Sequence, residues 1–226
     1  MGKAKIDKEL TERQRNRRAR ILETARSLLT ERGYDALTMR DLAAESEVAL
    51  KTLYRIYGDK DALLRTAIQE QYRVEYETLD EDDQHFGLDR VFFIAEAMSA
   101  RVLDEASYIK ALARMTSSEA ILDPLRELRT TTYARGLDQM GTQGALEEFV
   151  DTRFLASLLG LHISALFRLW ANGGLESHEL VDRVRLEIAC VLSPFATGAS
   201  SERLRELSKR IHDKIAEQRL SLTAKS

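Results

Sequence analysis

The sequence predicts an all-α chain: a small N-terminal group of three helices, then a larger helical body. Three observations carry that expectation. Long stretches rich in Ala, Leu, Glu and Arg favour helix by intrinsic propensity, and only Pro124 and Pro194 interrupt them. Apolar residues recur at three- and four-residue spacing, the period of a helix with one buried face. Charge is divided along the chain: residues 1–60 hold 14 Lys+Arg against 10 Asp+Glu, a balance of +4, while the remainder stands at −7. A basic head on an acidic body suits a protein whose head alone meets a polyanion.

Composition narrows the classes further. At 226 residues, 44% hydrophobic and 31% charged, the chain can bury one or two globular cores. A single cysteine, Cys190, excludes an internal disulfide framework and a Cys-based zinc site. No N-terminal apolar run suggests a signal peptide, so a cytoplasmic, nucleoid-associated protein that does not enter membranes is expected. His85, His162, His178 and His212 are scattered without metal-ligand spacing. His178 and Asp182 share a helical face but read as a surface pair. There is no Gly-rich phosphate loop, and Cys190 lies on an apolar helix, where a thiol is inert. No enzyme, metal or cofactor is expected.

Residues 1–16, with Lys3, Lys5, Lys8, Arg13 and Arg15, read as a basic arm that runs into a first helix. Arg17, Arg18 and Arg20 continue the cluster, which serves either as a DNA-reaching arm or as a solvated helix face. Ile21, Leu22, Ala25, Leu28 and Leu29 keep helical spacing, and Gly33 is placed to end that helix in a left-handed conformation. Thr38 opens a short second helix, with Asp41 completing a capping-box pattern. Met39, Leu42 and the small Ala43 form its inward face. After Glu45-Ser46-Glu47, a third helix runs from about Ala49 to Tyr57 with Val48, Leu53 and Ile56 inward, and Gly58 ends it. Asp59 caps a fourth helix that buries Leu63, Leu64, Ala67 and Ile68. Two short helices across a tight turn, with a small residue in the first, describe a helix-turn-helix. The expected boundaries are 17–64 for this unit, 65–198 for the body and 199–226 for a C-terminal extension.

The run from Arg20 to Leu64, "RILETARSLLTERGYDALTMRDLAAESEVALKTLYRIYGDKDALL", resembles the N-terminal domain of the TetR family of transcription regulators. The order of the Ile-Leu-x-x-Ala start, the Gly33-Tyr34 turn, "LTMRDLA" and "TLY" carries the likeness. Four positions depart from it. Glu47 stands at a usual turn glycine, Ala49 at the usual serine cap of the recognition helix, Lys51 at a common glycine, and Ile56 at a frequent His or Tyr. The resemblance implies a helix-turn-helix DNA-binding domain followed by a helical ligand-binding and dimerisation domain. It also implies a repressor released by a small-molecule effector.

A short helix fits the major groove and offers its N-terminal residues to base edges. On that basis Thr38, Arg40, Ala49, Lys51, Thr52, Tyr54, Tyr57 and Lys60 are the expected DNA-binding residues. Lys51, Thr52 and Tyr54 face bases, and Arg40 reaches a guanine edge or a phosphate. Thr38 and Lys60 sit at helix starts that favour phosphate, and Tyr57 is core with its hydroxyl at the surface. The partner is double-stranded DNA with a palindromic operator, read by a two-fold homodimer.

In the body, "DEDDQHFG" reads as a loop, and helices follow at 88–103, 107–121 and 124–140. The stretch from Glu147 to Ala171 is apolar nearly all round, with Phe154, Leu155, Leu158, Leu159, Leu161, Ile163, Leu166 and Trp170. Such a helix must be covered on both sides, while Arg153, His162 and Arg168 argue against a membrane span. Ser177 is expected to cap the next helix, with Val181, Val184, Ile188, Val191 and Phe195 as its stripe. This pair is where the resemblance implies a four-helix dimer interface. "TGASS" reads as a hinge to a last amphipathic helix with Leu204, Leu207, Ile211 and Ile215. Phe92, Met98, Tyr108, Met115, Tyr133, His162 and Trp170 are candidate ligand-binding residues, although such spacing is commoner in core. Residues 59–77 would act as the lever between effector site and head.

Overall fold

The computed structural model describes residues 11–114 and 119–223. Within them the chain is helical, in the order α1 (Glu12–Ala36), α2 (Met39–Glu45), α3 (Leu50–Tyr57), α4 (Lys60–Asp80), α5 (Leu88–Asp104), α6 (Ala106–Arg114), α7 (Glu119–Thr142), α8 (Thr152–Ala171), α9 (Leu180–Leu192) and α10 (Gly198–Thr223). It divides into two compact units. One holds Met1–Val74 and Ser107–Pro124, and the other Glu75–Ala106 and Leu125–Ser226.

The first unit is built on the expected apolar stripe. Ile21, Leu22, Ala25, Leu28 and Leu29 of α1 are buried, with Met39, Leu42 and Ala43 of α2, Leu53 of α3, and Leu63, Leu64, Ala67 and Ile68 of α4. Gly33 adopts φ 73° and ψ 171°, a region open to glycine and closed to most side chains. It breaks the long first helix, as its position suggests, and a separate short helical turn to Ala36 follows the break. Ile56 departs from expectation: it is 43% exposed, since the short α3 buries Leu53 alone.

In the second unit α9 lies at the centre and packs against α5, α8 and α10. Val91, Ile94 and Ala95 of α5 are buried with Leu155, Leu159 and Ile163 of α8, Val184 and Ile188 of α9, and Leu204 and Ile211 of α10. The C-terminal helix is thus part of the body core. It starts at Gly198, so "TGASS" begins a helix and is no hinge. Helix α8 begins at Thr152, five residues later than its apolar pattern suggests. The backbone before it is committed elsewhere, because Leu146 bridges to Ala196, with Glu147 N–H donating to Phe195 O at 2.9 Å and Thr197 N–H to Ala145 O at 3.0 Å. Asp151 then caps the helix by accepting from Phe154 N at 2.9 Å. The expected cap Ser177 instead accepts from the indole N–H of buried Trp170 at 3.0 Å, and Ser177–Glu179 forms one 3-10 turn before α9.

The last turn of α4 has a polar anchor. Arg90 is fully buried, and its guanidinium donates to the carbonyls of Leu79 (3.2 Å), Asp80 (3.0 Å) and Asp82 (2.5 Å) and to the Asp80 carboxylate (2.9 Å). Arg135 also donates to the Asp80 carbonyl. A helix end leaves carbonyls without internal partners, and a cation there satisfies both the hydrogen bonds and the local negative potential. The partnership makes burial of Arg90 tolerable.

Candidate nucleic-acid interface

The candidate interface is made by α1, α2 and α3, with α2 packed on both neighbours. Helix α2 starts as its sequence requires. The Asp41 amide donates to the Thr38 hydroxyl at 3.2 Å, and the Thr38 amide donates to the Asp41 carboxylate at 3.0 Å. The Thr38 hydroxyl also hydrogen-bonds that carboxylate at 2.6 Å and so holds the Asp41 carboxyl below its ordinary range, helped by Arg32 at 3.5 Å.

The turn between α2 and α3 runs through buried Ser46, whose hydroxyl donates to Leu42 O. Glu47 takes φ 53°, the conformation for which a glycine is ordinarily used. Arg20 of α1 braces it: the Arg20 Nε donates to Ser46 O at 3.0 Å, and the guanidinium lies 3.8 Å from the Glu47 carboxylate. Val48 N–H closes the turn on Ala43 O at 3.0 Å.

Helix α3 has no side-chain cap at Ala49, as its sequence suggests. The Thr52 amide instead bonds Ala49 O at 2.7 Å and the Leu53 amide bonds the same carbonyl at 3.3 Å, a tight first turn. Lys51, Tyr54 and Arg55 are exposed and Thr52 is half-buried. Arg40 is exposed near the start of α2. Thr38, Arg40, Ala49, Lys51, Thr52 and Tyr54 therefore all keep surface available to a partner. This array can present cations, hydroxyls and a phenol to a groove.

Two expected contact residues are placed differently. The Tyr57 hydroxyl is buried without a hydrogen-bond partner rather than lying at the surface, and burial pushes its pKa up. Lys60 turns back onto α1: its ammonium donates to Tyr34 O at 2.9 Å and lies 3.9 Å from the centre of the Tyr34 ring. The Tyr34 hydroxyl in turn donates to Asp61 at 2.5 Å, which raises the phenol pKa to about 12. Lys60 thus ties α4 to α1, an attachment that its position at a helix start did not reveal. The α4 start itself is capped as expected, with Asp59 accepting from Ala62 N at 2.7 Å.

The described candidate ligand-binding residues divide between the two units. Phe92, Met98, Tyr133 and Trp170 are buried in the second unit, and Tyr108 is buried but belongs to the first. Met115 lies outside the described residues. His162, expected on the face shared with Leu155 and Leu159, is exposed and pairs with Glu187 of α9. Phe92 borders an open concavity of about 480 Å³ with Glu96, Arg185, Arg203, Leu207 and Arg210. Among the described residues no His, Cys, Asp or Glu group could hold a metal ion. Helix α8 is long and apolar enough to cross a membrane by length and composition, yet it carries Arg153, His162 and Arg168 and buries Leu155, Leu159 and Ile163 in the body core.

Residues 21–67 match the family model "Bacterial regulatory proteins, tetR family". The chain is 23% identical to the HTH-type transcriptional repressor KstR of Rhodococcus jostii over 188 residues, 79% of this chain and 84% of that protein. It is 38% identical over 69 residues to KstR of Mycolicibacterium smegmatis, a match that spans 30% of this chain and 34% of the relative. Among solved structures, Thermus thermophilus FadR, described as a transcriptional repressor in complex with lauroyl-CoA, superposes with a TM-score of 0.63 at 17% identity, covering 80% of this chain and 96% of that one. The matched segment coincides with the braced turn and exposed helix of the first unit, and the longer alignment extends through the helical body. Residues 21–67 thus carry the N-terminal domain of the tetR family of bacterial regulatory proteins, and the rest of the chain has the fold of that family's solved structures.

Proposed function

We propose that this chain is a dimeric transcriptional repressor that reads a palindromic operator through α3 and leaves it when a small molecule binds the helical body. The observation that carries the reading is the array of exposed Lys51 and Tyr54 with half-buried Thr52 on an α3 whose one fully buried residue is Leu53, beside a braced helix-turn-helix turn. In this assignment Lys51, Thr52 and Tyr54 meet bases, Arg40 meets a guanine edge or a phosphate, and Thr38 and Ala49 lend backbone at helix starts. Tyr57 and Lys60 act from behind, holding α3 and α4 in place. The cytoplasm is the compartment where such a protein meets its DNA.

A second copy of the chain would cover the apolar residues that the body leaves exposed on α8, namely Phe154, Leu161 and Leu169. Two-fold symmetry then calls for half-sites about one helical turn apart or a multiple of that. The effector acts in the body, and α4, which continues from the head to the Arg90 anchor, is the element through which it acts. Lauroyl-CoA, held by the Thermus repressor of the same fold, is the first effector to try.

The test is selection of bound fragments from genomic DNA with the purified protein, followed by titration on the best site. A palindromic site bound by a dimer, weakened about 5- to 150-fold by Lys51→Ala or Arg40→Ala, is the expected result, matching about 1–3 kcal/mol for removing one base-reading side chain. A folded dimer that enriches no site at low salt overturns the proposal.

A further inference from the structure

We infer that the N-terminal half of α1 and the flank of α3 form a phosphate-binding wall, which grips the sugar–phosphate backbone beside the recognition helix. The inference rests on the DNA-reading proposal and adds a surface with its own residues, Arg13, Arg17 and Arg55. An open groove of about 980 Å³ separates the start of α1 from the start of α3, lined by Arg13, Asn16, Arg17 and Arg20 on one side and Thr52 and Arg55 on the other. Four arginines thus face one concavity, against the acidic Glu12 and Glu47.

Partnership separates these arginines. Arg20 is committed to Ser46 O and Glu47, and it neutralises that carboxylate. Arg18, pointing elsewhere, pairs with Glu70 at 3.6 Å. Arg13, Arg17 and Arg55 have no ion pair among the described residues, and Arg13 and Arg55 are exposed. Converged cations without internal counter-charges raise the local positive potential, and a polyanion lowers it. Asn16 and Thr52 add neutral donors suited to phosphate oxygens.

Geometry decides which part of the duplex the wall meets. Arg13, Arg17 and Arg20 follow at spacings of four and three, so they form one stripe on a helix. That helix is already organised at Thr11, whose hydroxyl accepts from Gln14 N at 3.3 Å while its amide donates to Gln14 Oε1 at 2.8 Å. A helix with side chains is about 10–12 Å across, and the minor groove is only about 6 Å wide. The described start of α1 therefore cannot thread the minor groove as an extended arm would. With α3 in the major groove, the adjoining stripe faces the ridge of phosphates that borders it. The consequence is sequence-independent affinity on a preformed surface.

The experiment measures binding of the full chain to a random-sequence duplex and to its selected site, between about 50 and 200 mM salt. It compares wild type with R13Q, R55Q and the triple variant R13Q/R17Q/R55Q, each checked for an unchanged helical spectrum and melting temperature. The expected result is a fall of about 0.9 in the log–log salt slope for every phosphate that a variant no longer neutralises. The fall should be equal on both duplexes, so the specificity ratio stays at its wild-type value. K51A should do the reverse and reduce that ratio. Parallel salt lines for wild type and the folded variants overturn the phosphate wall and leave the DNA-reading proposal standing. A wild-type chain that binds neither duplex overturns both.

Discussion

Helices α3 and α8 leave surface exposed for opposite reasons. Helix α3 buries only Leu53, and the surface it retains carries Lys51, Tyr54 and Arg55. Helix α8 buries Leu155, Ala156, Leu159, Gly160, Ile163 and Trp170, yet still exposes Phe154 at 68% and Leu161 at 49%. Exposed cations remain hydrated until a polyanion displaces their counterions. Exposed hydrocarbon is unfavourable until another apolar surface covers it. One chain thus carries two unsatisfied faces of opposite chemistry, in keeping with the DNA and the second copy proposed for them.

The largest expected effect tests how little holds α3. Leu53→Ala removes its sole buried side chain, and large-to-small changes of this kind cost about 2–5 kcal/mol. The head should melt well below the body, visible as a separate early transition in a calorimetric scan. A single unshifted transition would mean that α3 is held by something other than Leu53.

The body face should respond in association rather than in folding. Phe154→Glu with Leu161→Glu places charge where apolar packing is proposed, and each anchor removed is worth about 1.5–3 kcal/mol of burial. Sedimentation should show a monomer with the wild-type helical spectrum. A dimer that survives both changes would move the interface away from this face of α8.

A smaller effect separates local capping from either face. Thr38→Ala removes the α2 cap and should cost about 1 kcal/mol in denaturant titration at neutral pH. The Asp41 carboxyl is held below its ordinary range by Thr38. Its contribution is therefore present above the unfolded pKa and lost as pH falls through the lower folded value. The gap between wild type and Thr38→Ala should narrow in acid, and a gap constant with pH would disconnect Asp41 from the cap.

The smallest effect concerns the braced turn. A non-glycine residue in the left-handed region costs roughly 1–2 kcal/mol, whereas glycine loses about 0.5–1 kcal/mol through its freer unfolded chain. The Arg20–Glu47 pair is exposed, so it contributes little. Glu47→Gly should therefore raise stability by under about 1 kcal/mol, read as a small rise in melting temperature. A fall would show that the brace outweighs the strain.

Much of the head was legible because its signals are local. Thr38 and Asp41 sit at capping-box spacing, Ala49 cannot cap, and Gly58 ends α3 with positive φ, all matters of neighbouring residues. The environments of Lys60 and Tyr57 were not legible because residues far away in sequence set them, Tyr34 on α1 for the first and a closed protein surface over the hydroxyl for the second. The start of α8 was hidden for the same reason. Its apolar pattern extends to Glu147, but a bridge to the segment after α9 claims that backbone first.

By itself the sequence determined the helical class, the order of elements in the head, and the separation of a basic head from an acidic body. Each follows from propensity, period and net charge, which need no knowledge of distant neighbours. Only the tertiary structure decided which charged groups are free and which are spent. Arg90 lies buried on the carbonyls that end α4, Arg20 braces Glu47, and Arg13, Arg17 and Arg55 converge on one groove. A side chain's partner depends on which helices pack together, and that selection is made by the whole core at once.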